Sequence, residues 1–442
     1  MYWKYANFLN YCVLEIHMIS LIEITEEYLG SLRFVEEIPR EVELPVGRDI
    51  KAIIGPRRVG KTFLLLKKAE SIKDRQNVLY LPFDEPELRR LTARKLAERV
   101  RREFPEGEVV LFLDEVQEWA EWDVKLRWLH DVGDFDVYIS GSSSTLMSSE
   151  IPSRLRGRHV SRLILPLSFR EIAGESGKTF RERGKLQAVL KDYIKWGGFP
   201  EVWTTRSREK IISILETMFY RDMVKRFAFR DVKEFQEAFY HILSLYGGYF
   251  TYRSLQRALK GLGVDANLKT VMNYLRAMEE SFLVFQLPIF SPSTREMMIK
   301  PRKLYLVDTA FASLFFKGHD EGRKLENLVF IELLREKSYW NQSLDISYYS
   351  DGKNEVDFVV REGPHIRELI QVTYELNAAN YEREVKGLIR TAKRLEVSKL
   401  TIVTMEDEEL LKEGNLTVEV LPIWKFLLRG HRSLPQAAPC SS

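Results

Sequence analysis

The sequence predicts an α/β protein built on a parallel sheet, and three observations carry that prediction. Four short apolar runs between residues 51 and 142 are continuous rather than alternating, as strands covered by helices on both faces are. The spacer between the second and third runs, "ELRRLTARKLAERVRREF", has helical spacing and many charges, as a crossover helix does. The first run ends in a turn with two glycines, "GPRRVGKT", which opens an apolar helix.

In chain order the four runs are "KAIIG" (51–55), "NVLYLPF" (77–83), "EVVLFLDE" (108–115) and "DVYISGS" (136–142). From about 176 to 238 the pattern is helical, broken by glycines and a proline within "WGGFPEVW". Two helices joined by "KGLGVD" and a strand pair follow, then "KLYLVDTAF" and the helix "ENLVFIELLRE". The last α/β segment holds "DISYYSD", "NEVDFVV", "IRELIQVTYEL", a charged helix and "KLTIVTM". These divisions give an N-terminal segment (1–40), a sheet-bearing core (41–172) and a helical lid or linker (173–238). A helical module (239–293), a small α/β domain (294–430) and a polar, disordered tail (431–442) complete the chain.

A chain of 442 residues exceeds one typical core, so two to four domains are expected. Basic and acidic residues number 67 and 64, so no global field draws the molecule to nucleic acid or membrane; any polyanion contact needs a local basic surface. Two distant cysteines, Cys12 and Cys440, fit a reducing cytosol and exclude a disulfide framework. With no H-x-x-x-H among seven histidines, they also argue against zinc. The apolar first twenty residues lack a small-residue cleavage site and are too interrupted to span a bilayer. Met18 is an alternative start, and a cytoplasmic location without membrane contact is expected.

Gly55-Pro56-Arg57-Arg58-Val59-Gly60-Lys61-Thr62 matches the phosphate-binding pattern G-x-x-x-x-G-K-[ST], with Phe63 continuing into the helix. The glycines let successive N–H groups point at phosphate oxygens, and the helix adds its positive end. Lys61 is assigned to the β- and γ-phosphates of ATP, and Thr62 to Mg2+. The third run ends in Asp114 and Glu115, at the sheet edge where ligands bind. Asp114 is assigned to Mg2+ through its waters, and Glu115 to the attacking water. Ser142, at the end of the fourth run, is the candidate contact to the γ-phosphate or that water. Arg154, Arg156 and Arg158 crowd one window, and Arg158 is the candidate arginine finger, in cis or from a neighbouring subunit. A solvated basic turn is the alternative.

"GPRRVGKT", "LDEVQ", "SGSSSTL" and "LRGRHVSRLILPLSFREI" resemble the archaeal and bacterial AAA-type ATPases that carry a C-terminal nuclease-like domain, over nearly the whole chain after Met18. The resemblance implies the same roles for Lys61, Thr62, Asp114 and Glu115, and makes "LPLSFREI" a structural signature. "GGFPEVW" and "DTAFASLFF" resemble the family's C-terminal half.

The 239–293 segment has the outline of a winged helix. Arg253, Arg257, Lys260, Lys269, Asn273 and Arg276 are its candidate DNA contacts, against a role in packing or subunit contact. In the last segment Glu326, Glu355 and Asp357 stand where a PD-(D/E)xK nuclease carries acids. Gln371 and Thr373 replace its second-strand acid and lysine, so an eroded centre is expected; Lys386 is a candidate stand-in for the lysine. The expected function is a Mg2+-dependent ATPase that moves this C-terminal half, on DNA, with homo-oligomerisation open. The alternatives are an ATP-gated endonuclease and a non-hydrolysing nucleotide-binding adaptor.

Overall fold

The computed structural model describes residues 20–141, 155, 157–174, 180–315 and 320–429. Ser142, Arg154, Arg156, Cys12, Met18, Cys440 and the 431–442 tail lie outside them. Five strands form one parallel sheet: β1 (Ile50–Ile54), β2 (Asn77–Pro82), β3 (Val109–Asp114), β4 (Phe135–Gly141) and β5 (His159–Leu163). Their order is β2-β3-β4-β1-β5. The first four are the continuous apolar runs, and every residue of β1 and β3 is buried. Even Lys51 on β1 is buried, its ammonium ion-paired with Asp136 on neighbouring β4 and set over the Tyr138 ring. β5 has no counterpart in the sequence prediction. It is an edge strand whose first four residues are only half-buried, so its arginine and serine hide the apolar pattern.

Because β1 lies between β4 and β5 and beside β3's partner, the carboxyl ends of β1, β3 and β4 converge on one edge. That edge receives the phosphate loop.

The helical segment folds as Phe180–Trp196, Pro200–Thr205 and Arg208–Thr217, then a π-helical turn Met218–Val224. Gly197 and Gly198 break the first two apart for a packing reason. The buried Asp308 carboxylate accepts from Gly198 N at 2.7 Å and Ala310 N at 2.7 Å. Burial pushes the Asp308 carboxyl up to about 6, against the pull of those N–H groups.

Helices Val232–Ser244, Tyr252–Gly261 and Leu268–Glu280 precede or enclose a small antiparallel sheet of β6 (Tyr249–Phe250), β7 (Val284–Leu287) and β8 (Arg302–Leu306), ordered β6-β8-β7. The strand pair expected here takes its second member, β8, from beyond Ser293, with the helix Thr294–Ile299 between.

Helix Glu321–Tyr339 leads into a mixed six-stranded sheet: β9 (Leu344–Ser350), β10 (Glu355–Glu362), β11 (His365–Val372), β12 (Leu400–Thr404), β13 (Glu409–Glu413) and β14 (Leu416–Pro422). The order is β13-β14-β12-β11-β10-β9, with helix Gly387–Leu395 crossing between β11 and β12.

A buried charged network ties this half to the first sheet. "LPLSFREI" forms a capping box, Ser168 with Glu171. Glu171 pairs with Arg40 at 2.9 Å, and Arg170 pairs with Glu41 at 2.7 Å and with Glu332 of the long helix. Arg335, one turn on, meets Glu332 at 3.3 Å. Such pairs add little net stability, yet removing one partner strands a buried charge at a cost of about 3–5 kcal/mol. Among the described residues no helix is long and apolar enough to cross a membrane.

Candidate nucleotide site

The phosphate loop is held open by its backbone. Gly55 has φ 147, and a Cβ there would lie 2.3 Å from Ile164 O; Gly60, with φ 92, caps helix Lys61–Ile72. Lys61 is buried, and its ammonium donates to the loop's own carbonyls, Gly55 O at 2.9 Å and Pro56 O at 2.8 Å. Burial lowers its pKa, and Glu115 and Asp114 oppose that shift. The loop thus holds a cation curled where phosphate oxygens would replace the two carbonyls. Val59 is buried, and its carbonyl accepts from Arg40 at 2.8 Å; Arg58, at φ 63, reaches Glu201 across the cavity at 3.2 Å.

Asp114 sits at the end of β3 with both oxygens engaged. Oδ2 accepts from Thr62 Oγ1 at 2.7 Å and Tyr80 Oη at 2.6 Å, and Oδ1 accepts from Ser140 Oγ and from Glu115 N at 3.1 Å. Burial and then Glu115 raise the Asp114 pKa, while the three hydroxyls hold it down. The hydroxyl–carboxylate pair of Thr62 and Asp114 is the hard-oxygen donor set that Mg2+ takes when nucleotide phosphates and water complete its shell. Among the described residues no group of three or more His, Cys, Asp or Glu is placed to hold a metal ion.

Tyr80 and Ser140 were not singled out from sequence. The available signal was register: Tyr80 pairs with Phe112, two residues before Asp114 and hence on the same face. Ser142, the serine chosen from sequence, lies outside the described residues. We expect Tyr80→Phe to raise the Mg2+ concentration needed for half-maximal turnover by about 10–100-fold, as loss of an orienting partner does. A Mg2+ titration of turnover checks this.

Glu115 follows in the left-handed region, φ 49, and accepts from Gln117 Nε2. Its other oxygen lies 3.8 Å from Arg57 Nη1, while Arg57 Nε donates to Asp222 Oδ1 at 2.6 Å. Arg57 therefore bridges the acid beside the phosphate loop to the π-turn of the helical segment. Burial disfavours its charge, but Asp222 and Glu115 outweigh that and raise its pKa. The Asp222 carboxyl is raised by burial against Arg57, and its second oxygen is buried without a hydrogen-bond partner.

A cavity of about 700 Å³ opens over the loop. Its floor is Gly60, Lys61, Thr62 and Phe63; its far wall is Pro200, Glu201, Thr204, Thr217 and Arg221. The third side is the N-terminal segment, where Phe34 and Val35 are 90% and 52% exposed. An exposed aromatic beside a phosphate loop offers a surface for a nucleotide base, and sequence patterning gave no sign of it.

Arg158 lies elsewhere. It immediately precedes β5, whose first residue pairs with Ile50 at the amino end of β1, whereas the loop follows β1's carboxyl end. Its guanidinium is ion-paired with Asp131. In its own chain it does not line the cavity, which leaves the solvated basic turn and the between-subunit form of that assignment.

In the C-terminal half the structure brings Glu326, Glu355 and Asp357 together, as the sequence suggested, but around a residue the sequence reading did not name. Lys303 Nζ lies 2.7 Å from Asp357, 2.9 Å from Glu326 and 3.2 Å from Glu355. Gln371 is adjacent, its Nε2 donating to Glu384 at 2.7 Å. Thr373 Oγ1 turns to the Glu375 carbonyl at 3.1 Å. Lys386 is not the stand-in lysine: its ammonium is committed to Glu413 at 2.6 Å. Arg253, Arg257, Lys260, Lys269 and Arg276 are exposed and Asn273 half-buried, on helices Tyr252–Gly261 and Leu268–Glu280. Arg276 is 3.8 Å from Glu280.

Comparison with known proteins agrees with the phosphate-loop half. An AAA domain matches residues 47–173, and two domains of unknown function match 187–320 and 321–426. The uncharacterized protein MJ1544 of Methanocaldococcus jannaschii is 33% identical over 426 residues, covering 92% of this chain and 94% of that protein. An uncharacterized protein of Haemophilus influenzae is 26% identical over 347 residues, 76% of this chain and 85% of that one. Among solved structures, Drosophila ORC bound to AT-rich DNA and Cdc6 aligns with a TM-score of 0.20 at 11% identity, over 67% of this chain and 92% of that chain. Caenorhabditis elegans PCH-2 aligns with a TM-score of 0.21 at 11% identity, over 59% and 66%. At those scores neither supports a conclusion about this chain.

Proposed function

We propose that this chain, which belongs to the same protein family as MJ1544 of M. jannaschii and carries an AAA domain, is a Mg2+-dependent ATPase whose nucleotide state repositions its C-terminal half on DNA. The observation that carries the reading is the pairing of Thr62 with Asp114 at 2.7 Å beside Glu115, over a loop whose lysine is curled onto its own carbonyls.

In this reading the loop N–H groups and the helix end bind the ATP phosphates, and Lys61 exchanges Gly55 O and Pro56 O for phosphate oxygens. Thr62 and Asp114 hold Mg2+, which supplies charge neutralisation at the phosphates. Glu115 orients the attacking water and accepts its proton. Arg57 exchanges part of its pairing with Asp222 and Glu115 for the nucleotide, and so transmits occupancy to the helical segment, which acts as a lid. Arg158 serves a neighbouring subunit's site.

The order of helix Val232–Ser244, β6, two helices, β7 and β8 supports a winged-helix module, and Leu268–Glu280 supports the role of recognition helix. The helix-then-sheet order from Glu321 supports a nuclease-like domain. DNA contact by this surface is sequence-independent in its electrostatic part, so salt dependence reads it. Lys269→Glu is expected to weaken duplex DNA binding and to lower the slope of log affinity against log salt by about 1. A duplex affinity unchanged by Lys269→Glu and Arg257→Glu together would remove DNA from the proposal and leave the ATPase standing.

A further inference from the structure

A nuclease-like centre implies a divalent metal, and the residues present do not fit one. The three carboxylates of Glu326, Asp357 and Glu355 each face the same ammonium, Lys303 Nζ, at 2.9, 2.7 and 3.2 Å. A lysine has three N–H donors; here it donates to Glu326 and Asp357, and Glu355 stands as a third carboxylate at ion-pair distance. Two of the oxygens that face the lysine are shared with phenols, Glu326 Oε1 accepting from Tyr305 Oη at 2.5 Å and Glu355 Oε1 from Tyr249 Oη, and the second Asp357 oxygen, Oδ2, accepts from Val372 N at 2.9 Å. Lys303 is 2% exposed, so water does not compete for its charge.

The lysine arrives from a different sheet. β8, which carries Lys303 and Tyr305, pairs with β6 and β7, whereas Glu355 and Asp357 lie on β10 and Glu326 on helix Glu321–Tyr339. Each of the three ion pairs of Lys303 therefore crosses from the three-stranded sheet to elements of the six-stranded domain, while within its own sheet the ammonium lies over the Tyr249 ring.

We propose that Lys303 is a built-in cation standing where a divalent metal would stand, so that the carboxylate cluster is a metal-independent joint docking the three-stranded sheet onto the six-stranded domain and not a phosphodiester-cleaving centre. The joint exists whether or not ATP is turned over. Its selectivity follows from geometry: N–H···O contacts near 3 Å accommodate an ammonium, whereas Mg2+ needs oxygens at about 2.0–2.1 Å and a nearly octahedral shell. Removing the ammonium turns the cluster into three facing carboxylates, a hard-oxygen site that a divalent ion can neutralise.

The test is Mn2+ uptake by the nucleotide-free full-length chain, followed by loss of the free-ion electron paramagnetic resonance signal, with Asp357→Asn as the site control. Wild type and Asp357→Asn are expected to take up the same amount. Lys303→Ala is expected to gain about one further equivalent, lost again in Lys303→Ala/Asp357→Asn. Lys303→Met, which keeps the aliphatic stem and drops only the charge, is the second variant should alanine not fold. Wild-type uptake, or Mn2+-dependent nicking of supercoiled plasmid, that Asp357→Asn removes would overturn the proposal. So would a folded Lys303→Ala or Lys303→Met that gains no Mn2+.

Discussion

Glu115→Gln lowers ATP turnover by about 10²–10⁴-fold, the range a positioned general base supplies, while ATP binding stays close to wild type. The two effects separate because of where Glu115 sits. It makes no contact with the loop's N–H groups, and glutamine is nearly isosteric and keeps an acceptor for Gln117 Nε2. Asp114, which faces Thr62, Tyr80 and Ser140, is untouched. What disappears is the carboxylate proposed to accept the water's proton, together with the negative charge 3.8 Å from Arg57. Phosphate release and fluorescent-nucleotide binding, measured side by side, check the separation. Turnover within tenfold of wild type would move the base to another residue.

Gly197→Ala destabilises the chain by about 3–5 kcal/mol, the range reserved for disrupted buried charge and strained backbone together. Gly197 has φ 70, where an L side chain is strained, and an added Cβ would meet Asp308 Oδ1 at 1.6 Å. Asp308 has little room to retreat, since Gly198 N and Ala310 N both hold its carboxylate at 2.7 Å. Urea unfolding of the full-length chain measures the loss. A Gly197→Ala/Asp308→Ala double variant costs less than the sum of its parts, because the second change removes the atom the first collides with. Strict additivity would show that the clash relaxes elsewhere.

The parts legible in the sequence share one property: their signal is local. Continuous apolar runs marked β1 to β4, since burial on both faces leaves no alternation to misread. The phosphate loop and the Asp114–Glu115 pair were legible because their chemistry fixes residue type and spacing within a few positions. "WGGFP" predicts a helix break, and the chain does break there. Its partner, Asp308, lies 110 positions from Gly198 and leaves no periodic trace.

The same physics hid the remainder. Arg57 and Asp222 are 165 positions apart, and neither is unusual in its own neighbourhood. Lys303 is a second cue beside the Tyr80 register, a cation in the mostly buried strand Arg302–Leu306 whose burial demands opposite charge. The sequence placed the three acids that meet it without showing that the cation among them belongs to the chain. Phe34 and Val35 carry no pattern at all, because an exposed pair at the end of a short turn has neither a helical nor a strand period.

Steady-state ATP turnover by the wild-type chain in Mg2+, with and without duplex DNA, tests the central claim most directly. The expected result is turnover that EDTA abolishes and that duplex DNA accelerates several-fold. A chain that binds ATP through the phosphate loop yet releases no phosphate under either condition would contradict it and make the loop a clasp between domains.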